Sequence, residues 1–307
     1  MKKVAPIFQL AVKAFDNLKA NDPIRMAAAT AFFTFFALPA IVIILSQLYG
    51  GLFNEREQRF SGQLFRKLAD LFGYQSARQI QDISQHLQQR RSSEVLTILS
   101  GFILLLASTT LFAIIKNSLN QLWNVKPTTG KRVLYTLVSK LVALGIILFS
   151  GILFVISLKL HRLLSSLQNR ALPEGVNYEW LGNGGHHLLS AVVLTIWFAF
   201  VFKFLPDIRI RWRAVWVGGL VTGVLVEIGE QVLDRLLINS QVSSLYGTSG
   251  ALILVLLFVF YSALIFYYGA SFTRQYAQWI HLAAEPAAHA VSYQIKEVDS
   301  DGNVSLN

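Results

Sequence analysis

Apolar residues in this chain come in long blocks instead of alternating with polar ones. Six blocks, near 27–49, 95–116, 134–158, 187–205, 213–235 and 250–273, are long enough at about 1.5 Å per residue to cross roughly 30 Å of hydrocarbon. They predict an all-α fold, a polytopic membrane helix bundle with six transmembrane helices. Residues 50–94 follow another rule: Phe60, Leu64, Leu68 and Leu71, then Ile80, Ile83 and Leu87, recur at spacings of three and four, as amphipathic helices require. This outer loop reads first as a solvated helical hairpin, with a place on the membrane boundary or over the bundle as the alternatives. A further, cytoplasmic helix is expected over about 5–20, and the polar segment 282–307, ending VSYQIKEVDSDGNVSLN, is expected to be disordered. The chain thus reads as a single membrane domain, 1–281, followed by a tail.

Composition strengthens this reading, since 54% of the 307 residues are hydrophobic and only 14% are charged. The N-terminal stretch has no short apolar core followed by a small-residue cleavage site, so no removable signal peptide is expected. The chain has no cysteine, which excludes a disulfide framework, a thiolate nucleophile and a thiolate metal site.

Charge sets the expected orientation. Lys2, Lys3, Lys13, Lys19 and Arg25 precede the first block, Lys116, Lys126, Lys131 and Arg132 follow the second, and Lys203, Arg209, Arg211 and Arg213 follow the fourth. The third loop holds Lys159, Arg162 and Arg170 and the fifth only Arg235, so the positive-inside rule puts both termini in the cytoplasm. The first loop opposes this, with seven bases, but five acids are mixed among them. The net charge of +10 is spread over separate loops with no basic strip interleaved with aromatics, so no nucleic-acid partner is expected, and anionic lipid heads are the natural counter-charge.

Several residues punctuate the spans. Pro39 removes a backbone hydrogen bond inside the first and should kink it. Pro206 closes the fourth, and Gly219 and Gly223 form a GxxxG step on the fifth that permits close helix approach. Tyr246 and Gly247 with Gly250 read as a turn leading into the last span. Trp212, Trp216 and Trp123 read as interfacial anchors.

Enzyme chemistry finds no support. The seventeen acids are scattered with no DxD or HxD pair inside the spans, and His186 and His187 are adjacent, so on a helix they point about 100° apart and share no metal. There is no GxSxG elbow and no phosphate-binding loop. No catalytic residue, metal or cofactor is therefore expected.

One stretch does call for chemistry. In VGGLVTGVLVEIGEQVLDRLL, residues 217–237, the acids Glu227, Glu230 and Asp234 fall on one helical face with Gln231 alongside. A charge at this depth costs several kcal/mol unless it is paired or hydrated. Lys140, Arg25 and Lys116 are the available bases for Glu227, and Lys159 for Asp234. The stripe is read either as a lock between helices or as a polar cavity binding a head group, solute or proton, with Tyr246 as a further ligand candidate.

The strings FKFLPDIRIRWRAVWVGGLVTGVLVE and SSLYGTSGALILVLLFVFYSALIFYYGASF resemble the C-terminal half of the YihY/BrkB family of envelope proteins, long labelled "ribonuclease BN". The matching positions are Pro206, Trp212, Arg213, Gly218, Gly219, Glu227, Tyr246, Gly247, Gly250, Tyr261, Gly269 and Ala270. In the N-terminal half, DPIRMAAATAFFTFFALP and NSLNQLWNVKP match through Asp22, Ala28, Asn120 and Trp123. The chain departs at Ser271, where many relatives carry an acid, and lacks a Trp that many have before the last Tyr. The resemblance implies six inner-membrane helices with both ends inside, and a role in envelope integrity or in moving a lipid or lipid-linked molecule. It also implies that the nuclease label is mistaken. Membrane lipids are the expected partners, an anionic or lipid-linked species among them. A non-transporting scaffold is the alternative, and a membrane ribonuclease the least favoured. Oligomeric state is left open.

Overall fold

The structure, a computed structural model, describes residues 4–52, 65–66, 77–78, 81–82, 110–128, 132–171, 179–233, 250–282 and 284–294. Helix α1 (Val4–Lys19) leads into α2 (Pro23–Leu52). The turn between them uses Asp22 at φ 54°, a left-handed conformation that Asp tolerates better than most residues. Helix α3 (110–122) ends in the short strand β1 (Val125–Pro127). Then follow α4 (Arg132–Ala171), α5 (Glu179–Phe204), β2 (Ile208–Arg209), α6 (Trp212–Leu233), α7 (Gly250–Trp279), β3 (Glu285–Pro286) and β4 (Ala290–Ser292).

Among the described residues four helical stretches are long and apolar enough to cross a membrane, namely Leu141–His161, His187–Phe204, Trp212–Val232 and Ile253–Trp279. Pro23–Leu38 is a shorter apolar stretch, and 110–116, the end of the second sequence block, is helical. Helix α2 runs as one element across Pro39, whose side chain lies outside the described part, as does most of the loop 50–94.

The helices pack in the order α4, α5, α6, α7, with α1 and α2 against α7. Side-chain pairs give the directions. Ser150 meets Trp197 and His161 lies by Ser190, so α4 and α5 are antiparallel. A Cβ on Gly218 would overlap Thr273 and one on Gly269 would overlap Thr222, so α6 and α7 are antiparallel too. The fit is reciprocal: each fully buried Thr donates to the glycine carbonyl one turn back on its own helix and fills the gap left by the glycine opposite.

The main apolar core lies at the basal end, where α5 stops and α6 starts, and gathers Met26, Leu119, Leu122, Phe202, Ile210, Val215 and Tyr267. Trp123 belongs to it and is only 7% exposed, so it is a core residue and not the interfacial anchor its sequence suggested. Here too the chain differs from the expected disorder after 282. Strand β4 pairs antiparallel with β1 and β3 with β2, which folds 284–294 over the basal end. Residues 295–307 lie outside the described part.

Candidate functional site

The site is built on the seam between α5 and α6. Gly219 and Gly223 sit against Thr195, Ala199 and Ala191; an added Cβ would come 2.7 Å from the Thr195 carbonyl oxygen at Gly219 and 3.0 Å from the Thr195 hydroxyl at Gly223. One turn further along α6 the same face presents Glu227, and one turn back from Ala191 on α5 the facing residue is His187. The small-residue seam therefore ends in a polar pair.

Glu227 Oε1 lies 2.5 Å from His187 Nδ1. The Glu227 side chain is 13% exposed and that of His187 54%. Glu227 Oε2 is buried with no hydrogen-bond partner among the described residues. An unpartnered carboxylate oxygen removed from water costs roughly 1–3 kcal/mol, and more when charged, which marks it as a place for a proton or a donor ligand. Glu230 is half-buried and Gln231 exposed beside the apolar Ile228 and Val232.

A second imidazole approaches from α4. His161 Nδ1 lies 2.9 Å from the Ser157 carbonyl oxygen, and its Nε2 stands 3.5 Å from the hydroxyl of Ser190, three residues after His187. The distal parts of α4, α5 and α6 thus carry one polar band inside an apolar surface.

Several sequence expectations meet a different outcome here. Among the described residues the partner of Glu227 is His187 and neither Arg25 nor Lys116. Lys116 instead bonds Asp207 at the opposite end, and Arg25 lies by Asp22 and Gln121. The side chain of Lys140 is outside the described residues, as are Asp234, Tyr246 and Gly247, so the pairing of Lys159 with Asp234 and the turn before α7 lie outside as well. Gly250 is the first residue of α7. Pro206 is buried in the bend after α5. Ser271, the departure from the family pattern, is fully buried; it donates to the Ala14 carbonyl at 2.7 Å and accepts from Asn17 Nδ2 at 2.8 Å.

The residue that sequence reading missed is Asp207, only 4% exposed. Its carboxylate takes Lys116 Nζ at 2.8 Å, His289 Nε2 at 2.9 Å and Asn120 Nδ2 at 2.8 Å, while its own N–H donates to Asn120 Oδ1 at 2.8 Å. With its acceptor positions occupied and a cation in contact, it joins α3, the α5–β2 bend and the C-terminal segment. It is a clasp and offers no free valence to a ligand. Among the described residues no group of three or more metal-ligating side chains converges.

Apolar helices of spanning length, a belt of exposed Trp212, Trp216, Leu220 and Val224, and a buried carboxylate within one span define a polytopic membrane protein. The chain belongs to the family described as "Virulence factor BrkB", whose model matches residues 14–293. It is 23% identical over 277 residues to a "UPF0761 membrane protein" of Teredinibacter turnerae, covering 89% of this chain and 61% of that one. It is 28% identical over 179 residues to a protein of the same name from Delftia acidovorans, covering 57% and 40%. The similar protein of Glaesserella parasuis is 29% identical over 144 residues, 46% and 47% of the two chains. The matches thus span less than two thirds of the length of these curated relatives. No solved structure matches the chain.

Proposed function

We propose that this protein is a non-enzymatic component of the bacterial inner membrane, its basal end cytoplasmic, that accommodates or moves a lipid or another amphipathic envelope molecule beside α6. The observation that carries the reading is Glu227, with one oxygen on a half-exposed imidazole and the other buried without a partner among the described residues. A membrane protein retains such a group when it is useful, because a Gln or Ala there would avoid the desolvation cost. His187 is the exposed member of the pair and is what an anionic head group would meet, while Ile228 and Val232 offer the adjoining acyl surface.

Native mass spectrometry with lipid identification, on protein extracted gently from its own membrane, tests this. A specific anionic or lipid-linked species is expected on the wild type and is expected to be lost in Glu227→Gln. Bulk lipid alone on both would favour the second reading, a scaffold that transports nothing. The observation favouring that reading is the close glycine packing of α6 against both neighbours, which suits a fixed frame.

A further inference from the structure

Helix α1 was expected from sequence to lie in the cytoplasm. Its neighbours fix its level along α7. The Tyr268 hydroxyl donates to the Ala11 carbonyl, the Ser271 hydroxyl to the Ala14 carbonyl, and Arg274 Nη1 to Asn17 Oδ1. Each step of three residues on α7 matches a step of three on α1, so the two helices run parallel and side by side. Leu10 and Ala14 pack with Phe272, and Val217 and Val221 of α6 join them. All these α7 residues belong to the apolar stretch Ile253–Trp279.

This register gives α1 a depth. Phe8 precedes Asn17 by nine residues, so it lies about 13 Å further into the bundle at ~1.5 Å per residue, close to half of a ~30 Å hydrocarbon core. On the face of α1 turned away from α7, Phe8 is 69% exposed, Val12 44% and Phe15 57%, with Gln9, Lys13 and Asp16 exposed in a polar line beside them. The three follow one another at spacings of four and three, a single helical stripe. The charged residues of α1, Lys13, Asp16 and Lys19, all stand in its second half, nearest the turn to α2. Lys13 lies about 6 Å from the level of Asn17, within reach of its own aliphatic stem.

We infer that α1 is a half-span embedded in the basal leaflet, with Phe8, Val12 and Phe15 in contact with lipid acyl chains. The occupant of this face is lipid because α1 shares its depth with α7 and with α6, whose Val217 and Val221 pack against it and whose neighbouring Trp216 and Leu220 are exposed apolar side chains. Polar solvent at that depth would leave three large apolar side chains exposed to water with a membrane alongside. The hairpin of α1 and α2 then enters the bilayer as one wedge, its turn at the head-group level.

The chain has no cysteine, so single cysteines at Phe8, Val12, Lys19 and, as a reference on a spanning helix, Leu220 can each carry one nitroxide in proteoliposomes. All four positions are exposed, and retention of the wild-type unfolding temperature identifies the variants that keep the fold. Collision with oxygen should dominate over collision with an aqueous nickel chelate at 8, 12 and 220, and the reverse should hold at 19. Nickel accessibility at 8 and 12 equal to that at 19 would overturn the inference. So would spin–spin broadening at 8 that disappears on dilution with unlabelled protein, since a second copy would then be the occupant.

Discussion

Asp207 and Glu227 are both acids removed from water, and they differ in what surrounds them. Asp207 has a full set of donors, and Lys116 beside it is itself buried at 7% exposure. Replacing one member of such a pair strands the other, which costs about 3–5 kcal/mol. Asp207→Ala is therefore expected to lower the thermal unfolding temperature in detergent sharply. His289→Ala, whose imidazole is 38% exposed, should cost only about 1 kcal/mol and lower it slightly. Equal effects from the two would show that the clasp is not centred on Asp207. Glu227 could be read from sequence as an acid in an apolar run, but its partner could not. His187 lies 40 residues away, and its adjacency to His186 points to nothing on another helix. Asp207 escaped attention because a charge next to Pro206 at a helix end needs no partner in water; only the fold brings Lys116 and His289 to it.

At the scale of the helices, apolar run length was the strongest signal, because a membrane demands it and tolerates little else. The GxxxG step could be located in the sequence, but the neighbour it meets could not. Still less legible was the reciprocal packing of Gly218 and Thr222 on α6 with Gly269 and Thr273 on α7, since a Gly-xxx-Thr pair is common in apolar helices. A Cβ at Gly218 would come 2.8 Å from Thr273 Cβ, so Gly218→Ala must push α6 and α7 apart. The expected cost is about 1–3 kcal/mol, read as a fall in unfolding temperature. Gly184→Ala, where nothing stands within 4 Å of the new methyl, should have little effect or raise it slightly. The short strands were beyond reach: with two or three residues each they carry no period, and only their antiparallel partners define them.

For the whole molecule, the last described segment acts as a strap. Strands β3 and β4 and His289 connect the chain end to β1, β2 and Asp207, over the basal core. Ending the chain after residue 283 should lower the unfolding temperature more than His289→Ala alone, whereas ending it after 294 should leave it unchanged. If both truncations behave alike, the strap contributes nothing. Composition indicated disorder here because the segment is short and polar; it has no core of its own and borrows that of the helices.

The exposed residues of α6 have one further consequence. Trp212, Trp216, Leu220, Val224, Ile228 and Val232 follow one another at intervals of four. At ~100° per residue each interval overshoots a full turn by about 40°, so the line of lipid contact winds part of the way round the helix between its two ends. Boundary lipids therefore meet a slanted ramp, and an acyl chain lying along it must lean away from the bilayer normal. The room for that lean depends on chain length and order in the surrounding membrane, so bilayer thickness enters the folding free energy of α6 directly, with no head group taking part.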